Sequence, residues 1–287
     1  MINNSGLAYI SGFFDAEGAI IIKSFKTKTN LRYQLAVSLA NVDRNLLSQI
    51  RAIFCNFGSI AKMHGIKYDN QKRTYEWRLE SKQAMFFLRQ VYPFLIIKKF
   101  EAELGINFQC SLYRTGGKFL SKQELEARQS MRARMRYLHK NRKIEITKRP
   151  RGLILAYLAG LFDGDGHITV LHKSTLTTVL TSKERPLLKY LLKYFKMGFI
   201  YENATCARWI VSSHNAKRLL HYLLPFLKLK NKEAELAIRF QNLINPKNSR
   251  PINTTKQLYR DKLIQNIKSR HLTKGVAIRK ITNVMDL

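Results

Sequence analysis

Two apolar runs, Leu7 to Phe14 and Leu153 to Phe162, each pass straight into a β-branched stretch, Ala19-Ile-Ile-Ile-Lys23 and His167-Ile-Thr-Val-Leu171. The runs keep helical spacing: Leu7, Ile10 and Phe14 form one stripe, as do Leu155, Leu158 and Phe162. Downstream the period falls to two. Across residues 32–40, Tyr33, Leu35, Val37 and Leu39 alternate with Arg32, Gln34, Ala36 and Ser38, which predicts a strand with one buried face. Amphipathic helices follow over Asn45–Phe57 and Arg185–Met197, with Gly58 and Gly198 placed as C-caps. Two further strands lead to Trp77 and Trp209, both expected to pack within a sheet, and helices follow around Pro93 and Pro225. The predicted order is αββαββα, twice, in an α+β protein.

The duplication is visible residue by residue. Leu7-Ala-Tyr-Ile-Ser-Gly-Phe-Phe-Asp-Ala-Glu-Gly18 returns as Leu155-Ala-Tyr-Leu-Ala-Gly-Leu-Phe-Asp-Gly-Asp-Gly166, and Pro93-Phe-Leu-Ile-Ile-Lys98 as Pro225-Phe-Leu-Lys-Leu-Lys230. The offset shrinks from 148 residues at Glu17/Asp165 to 141 at Asp43/Glu184 and 132 at Trp77/Trp209, so the second copy has shorter hairpins. Residues 1–112 make the first repeat, 113–151 a basic linker, 152–245 the second repeat and 246–287 a basic tail. Within the linker, Ser121-Lys-Gln-Glu124 predicts a capping box that opens a basic helix running to about Asn141. The tail is expected to hold one helix near Gln257 to Lys268.

Charge narrows the partner. Lys and Arg number 51 against 19 Asp and Glu, a net charge of +32, which points to a polyphosphate. The linker alone carries thirteen Lys or Arg against three Glu and is expected to reach phosphates. No apolar run approaches the ~20 residues of a spanning helix, so no membrane role is expected. Cys55, Cys110 and Cys206 form no Cys-x-x-Cys pair, which argues against a disulfide scaffold and for a reducing compartment.

The repeated motif also carries chemistry. Ala8, Ser11 and Gly12, matched by Ala156, Ala159 and Gly160, line a second helical stripe with small side chains, so the two motif helices are expected to pack on each other. A glycine inside a helix costs about 1 kcal/mol relative to alanine, so its duplication has a packing reason. Such packing brings Glu17 and Asp165 together at two negative helix ends, where carboxylates either share a proton or bind a cation. Hard oxygen ligands suit Mg²⁺ completed by water and phosphate oxygens. In a strongly basic protein this implies metal-assisted phosphodiester hydrolysis. Asp163-Gly-Asp-Gly-His-Ile also suggests an EF-hand loop, but the register puts Leu161 and His172 where carboxylates are required. Asp15 and Asp163 read as polar helix-end residues.

The paired motifs, the repeated Pro-Phe-Leu-x-x-Lys segments and the charge resemble a single-chain LAGLIDADG homing endonuclease of the intron-encoded type, over residues 5–245. The resemblance implies duplicated αββαββα domains with pseudo-twofold symmetry, whose two four-stranded antiparallel sheets form a saddle on double-stranded DNA. It implies metal binding by Glu17 and Asp165 with the backbone carbonyls of Ala16 and Gly164, using Mg²⁺ with Mn²⁺ able to substitute. It places Lys98 and Lys230 beside the nucleophilic water. Asp43 and Glu184 fall where a residue orders solvent, or else are simple helix N-terminal acids. Base and phosphate readers on the sheets would include Lys23, Arg32 and Gln34 in the first repeat, with Lys173, Thr177 and Tyr201 in the second. Ser11 and Glu17 depart from the commoner Ala and Asp of the motif.

The activity expected is site-specific double-strand cleavage by a monomer at a long, asymmetric target. The alternative is an intron RNA maturase on the same fold, with the protein's own intron RNA as partner. An organelle, chloroplast or mitochondrion, with the gene inside it, is the expected setting; a bacterial or phage source leaves the same trace.

Overall fold

The computed structural model describes residues 3–26, 31–63, 73–113, 121–244 and 254–274, and it bears out the α+β duplication. The first repeat runs α1 (Asn4–Glu17), β1 (Gly18–Lys26), β2 (Leu31–Asn41), α2 (Arg44–Ile53), β3 (Ser59–Lys62), β4 (Tyr75–Glu80), α3 (Ser81–Val91) and α4 (Lys99–Tyr113). The linker contributes α5 (Lys122–Lys140). The second repeat runs α6 (Arg151–Asp165), β5 (Gly166–Leu171), β6 (Thr175–Ser182), α7 (Arg185–Phe195), β7 (Phe199–Glu202), β8 (Ala207–Ser212), α8 (Ser213–Leu223) and α9 (Asn231–Leu243), and the tail contributes α10 (Thr254–Lys274). Linker residues 114–120 and tail residues 246–253 and 275–287 lie outside the described residues.

Both sheets are antiparallel, in the orders β1-β2-β4-β3 and β5-β6-β8-β7. Strand alternation decides their two faces. Tyr33, Leu35, Val37, Leu39, Trp77 and Leu79 are buried in the core. Arg32, Gln34 and Ser38 fall on the opposite, open face. Trp77 packs edge-on to Phe87, and its indole donates to the Phe57 carbonyl at 2.9 Å; the Trp209 indole donates to Met197 at 2.8 Å. Both tryptophans are 1% exposed, as the sheet-packing expectation required.

The seam between the repeats is α1 against α6. A Cβ on Gly12 would lie 1.9 Å from the Tyr157 carbonyl oxygen, and one on Gly160 would lie 1.9 Å from that of Tyr9. No side chain fits at either place, which explains the two glycines inside helices. The reciprocity shows a pseudo-twofold axis through the seam. Ser11, the departure from Ala, donates to Leu7 O at 2.8 Å and Val91 O at 3.1 Å, tying α1 to the end of α3.

Two expectations need correction. The middle helices stop at Ile53 and Phe195, short of Phe57 and Met197, and neither Gly58 nor Gly198 is the cap. Left-handed residues end them earlier: Cys55 and Asn56 follow α2, and Lys196 caps α7. Gly58 (φ 68) and Gly198 (φ 77) instead let the entering strand approach β4 or β8, where a Cβ would sit 2.1 Å from the Arg78 or Ile210 carbonyl oxygen. The tail helix is also longer at both ends than its expected span.

α5 keeps its predicted capping box, with Ser121 and Glu124 bonded reciprocally. It covers the outer edge of the first sheet: Arg132 donates to Ile22 O at 3.3 Å, and His139 Nε2 lies 2.9 Å from Ile20 O. α10 does the same in the second repeat, burying Leu263, Ile264 and Ile267 while Arg260 donates to Lys173 O at 3.0 Å. Covered edges cannot pair with another chain's strand.

Candidate active site

The acids sit where a helix hands over to the first strand of its sheet. α1 ends at Glu17 and α6 at Asp165, and Gly18 and Gly166 turn each chain into extended backbone. The last carbonyls of a helix have no intrahelical donor, so oxygen atoms converge at both ends. Ala16 and Gly164 touch across the seam, since a Cβ on Gly164 would lie 2.4 Å from that of Ala16 and 3.2 Å from Glu17 Cγ. The charges feel one another. Burial, then the Asp165 carboxylate, raises the Glu17 pKa, while Lys230 and Lys98 oppose the rise. Burial also raises Asp165, against the pull of Lys98 and Lys230. Asp165 remains exposed to solvent although protein crowds it on other sides, so the acids line a recess open to water rather than a sealed core.

Lys98 and Lys230 arrive on loops that enter α4 and α9, and both are buried. Lys98 Nζ donates to Phe14 O at 3.0 Å and to Asp15 O; Lys230 Nζ donates to Asp163 O. Burial lowers the Lys98 pKa, opposed first by Asp15. The structure therefore brings together Glu17, Asp165, Lys98 and Lys230.

What fixes these lysines is a pair of residues that the sequence suggested only as polar helix ends. Asp15 Oδ2 accepts the Ile96 and Ile97 amides and Oδ1 accepts that of Lys98, each at 2.9 Å. Tyr157, from the other repeat, donates to the same carboxylate at 2.7 Å. Asp163 repeats the arrangement with the Lys228, Leu229 and Lys230 amides and with Tyr9 at 2.7 Å. Burial and then the adjacent carboxylate push both phenols well above their ordinary pKa, so they remain donors. The missed signal was the duplication of Tyr and Asp together, at matching places in each motif. Asp163 is thus filled by amides and has no role as a loop metal ligand.

Asp43 and Glu184 are engaged elsewhere. Asp43 caps α2 through the Leu46 amide at 2.9 Å, the helix-acid alternative. Glu184 accepts from Arg142 at 3.3 Å. Among the described residues no hydrogen bond or ion pair joins either acid to Glu17 or Asp165.

The six surface candidates divide. Lys23 and Gln34 face each other on the open side of the first sheet, and Glu80 holds both, at 2.8 Å and 3.2 Å. Arg32 lies exposed beside them, opposite Phe25. Tyr201 is exposed on β7 opposite Arg208, and Lys173 is exposed in the β5–β6 turn with left-handed backbone. Thr177 is a correction: it faces the open side but is 1% exposed, enclosed by neighbours and set 3.4 Å from the Ser212 hydroxyl, so it cannot reach a base.

Among the described residues no three His, Cys, Asp or Glu side chains cluster as a metal cage. Two carboxylates without a third suit an ion such as Mg²⁺, which keeps several waters and binds substrate oxygens. Burial disfavours the charged form of both acids, a cost that a bound cation would offset as a proton does, so the residues fit the group.

Comparison with known proteins agrees with this architecture. The LAGLIDADG endonuclease family model matches residues 10–101 and a LAGLIDADG-like domain model matches residues 152–223, together more than half of the chain. No curated protein matches the chain. Among solved structures, the LAGLIDADG homing endonuclease I-GzeII in complex with its DNA target shares the fold at a TM-score of 0.76 and 20% identity, over 94% of this chain and 99% of that one. I-SmaMI bound to uncleaved DNA target in the presence of calcium ions follows at 0.71 and 19%, over 93% and 99%. The meganuclease I-AabMI bound to uncleaved DNA matches at 0.71 and 20%, over the same shares. The fold and the paired helix-end acids define a two-repeat nuclease scaffold. The chain belongs to the LAGLIDADG endonuclease family, in its single-chain form.

Proposed function

We propose that this protein is a monomeric, site-specific endonuclease that cuts both strands of a DNA duplex with a divalent metal, Mg²⁺ in the cell and Mn²⁺ as a substitute. The carrying observation is the seam itself: two glycines bring the helix ends together and set Glu17 and Asp165 in one open recess between two buried lysines. Glu17 and Asp165, with the carbonyls of Ala16 and Gly164, would hold the metal. When bound, the ion supplies a hydroxide at neutral pH and stabilises the developing charge on phosphate and leaving oxygen. Lys98 and Lys230 place their side-chain nitrogens beside the recess, within reach of a phosphodiester anion, and Asp15 and Asp163 fix their backbone.

The open sheet faces supply the reading surface. Lys23, Arg32, Arg78 and Arg208 lie on them with exposed or half-exposed side chains, among hydroxyl and amide groups suited to base edges. Related proteins crystallised on DNA targets support a duplex as the partner. Intron homing from an organelle-encoded gene completes the reading.

The test is direct. Protein and Mg²⁺ are mixed with DNA of the uninterrupted host gene, using wild type, Glu17→Gln and Asp165→Asn. Wild type should leave double-strand breaks at one place, chelator should abolish them, and both variants should bind with near-normal affinity while scission falls by orders of magnitude. If wild type leaves the DNA whole and all three proteins promote splicing of the host intron equally, the maturase function replaces this one.

A further inference from the structure

The two lysine loops are gripped alike in front, by Asp15 and Asp163, and the first is also held from behind. The strap 141–150, which leads from α5 to α6, runs along it. Arg149 donates to Phe94 O at 2.6 Å and Leu95 O at 2.9 Å, and its guanidinium stands 5.9 Å from the Tyr157 ring centroid. Glu145 pairs with Lys99 at 3.1 Å, and Arg142 pairs with the buried Glu101 at 2.8 Å. Ile144 and Ile146 pack against the core. Lys98 is therefore flanked on both sides, at residues 94, 95, 99 and 101, by attachments to one short segment.

The second loop has no counterpart of the Arg149 bonds among the described residues. Its corresponding residues are Phe226, Leu227, Asn231 and Glu233, and among the described residues no side chain binds the Phe226 or Leu227 carbonyl. Asn231 carries no charge and accepts its neighbour's amide, from Lys232 at 2.7 Å. Lys228 stands over Tyr9 at 5.3 Å, where Arg149 stands over Tyr157. Lys228 belongs to the loop itself, so its contact ties the loop to α1, whereas Arg149 ties the first loop to a separate segment.

We infer that the 141–150 strap is a positioning device for the first lysine, with Arg149 as its positioning residue. Arg149 fixes the carbonyls of Phe94 and Leu95, Asp15 fixes the next three amides, and together they hold Lys98 Nζ on Phe14 O and Asp15 O beside Glu17. The guanidinium suits this role because its planar fork fixes the directions of both bonds, whereas the donors of an ammonium rotate freely. Arg149 acts through Lys98 and touches no reacting atom. The two strand cuts consequently differ in what sustains them: the one served by Lys98 depends on the strap, and the one served by Lys230 does not. This consequence rests on the endonuclease reading above; the positioning of the loop does not.

Two measurements on Arg149→Met and Arg149→Lys test it. The first is amide hydrogen exchange of the free full-length protein. Arg149→Met should speed exchange at Ile96, Ile97 and Lys98 and leave Lys228, Leu229 and Lys230 unchanged, with Arg149→Lys between. The second uses a duplex enriched from a randomised DNA library by wild-type binding, with each strand labelled separately and Mg²⁺ added. Arg149→Met should slow one strand's cut by about tenfold to a hundredfold relative to the other, the scale of a ~1 Å misplacement, at unchanged DNA affinity. Equal slowing of both strands, equal loosening of both loops, or no change in either measurement overturns the inference. If the exchange pattern is as expected but wild type cuts neither strand, the strap stands and the endonuclease reading falls. Should Arg149→Met fail to fold, Arg149→Lys carries both comparisons with smaller amplitude.

Discussion

Tyr9 donates to Asp163 and Tyr157 to Asp15, both at 2.7 Å, and Gly12 and Gly160 each sit against the other helix's carbonyl oxygen. The open faces of the two sheets match in register and in little else. Where the first has Lys23, Gln34 and Glu80 bonded together, the same register positions of the second hold Leu171, Thr175 and Ser212. A seam made of two copies has to satisfy its own buried groups under the pseudo-twofold, and any one-sided change leaves a donor or a backbone contact without its counterpart. A face turned to solvent has no such constraint. It can diverge, and an asymmetric partner gives it reason to.

The seam should break hardest and evenly. Gly12→Ala or Gly160→Ala places a methyl against backbone that cannot turn aside, so each should destabilise the protein by about 3 kcal/mol or more, the upper end of overpacking. Equal losses in denaturant melts are expected, whereas Gly152→Ala, with nothing within 4 Å of its added methyl, should be neutral or mildly stabilising. A large difference between the two seam variants would show that the symmetry is only apparent.

Next come the carboxylates beside it. Asn at position 15 or 163 turns an amide N–H toward groups that are all donors, so each change should lower stability by about 2–4 kcal/mol, the scale of lost charge-assisted bonds plus an unpaired donor. Because each Asp serves the loop of its own repeat and the tyrosine of the other, either variant should speed amide exchange in its own lysine loop first.

The faces should break unequally and more gently. Glu80→Ala frees Lys23 and Gln34 from one another, so discrimination among bases in one half of the target should fall about tenfold, within the ~1–3 kcal/mol of a bidentate base contact. Ser212→Ala should change discrimination in the other half by less than threefold. Relative cleavage of single-base target variants reads both, and equal effects would remove the contrast between the faces.

Much of this was legible because it is local. Helical period, strand alternation, the Ser121–Glu124 capping box and the recurrence of the motif depend on neighbours in sequence, and α1, β2, α5 and α6 follow from them. The convergence of Glu17 and Asp165 was legible too, since small residues at helical spacing imply a close partner and the only matching stripe is the copy. The ends of α2 and α7 were not. Gly58 and Gly198 look like helix caps, but their left-handed backbone serves an approach to Arg78 and Ile210, which lie further on, on the neighbouring strand. The work of Asp15 and Asp163 was hidden for the same reason, as their donors lie 65 to 83 residues away or in the other repeat. Thr177 has the right parity for the open face, yet parity says nothing of the side chains that close over it.

The smallest expected effect is a pH dependence of the metal-free protein, and it separates the recess from its lysine. Glu17 and Asp165 have pKa values raised in the folded chain, chiefly by burial. From the ordinary carboxylate range up to those raised values, the folded state therefore binds more protons than the unfolded one, and stability declines as pH rises. Lys98 has its pKa lowered by burial. Between that lowered value and its ordinary one the unfolded state binds more protons, so its contribution to stability grows as pH rises. In chelator, Glu17→Gln should melt like wild type at acid pH and increasingly above it as pH approaches neutrality, because position 17 then carries no charge to confine beside Asp165. Restoring Mg²⁺ at neutral pH should raise the wild-type midpoint and leave the variant nearly unmoved, since the cation takes the place of the proton. A variant that tracks wild type at every pH, with and without metal, would mean that the two carboxylates do not share a recess, and the seam would then be a packing feature alone.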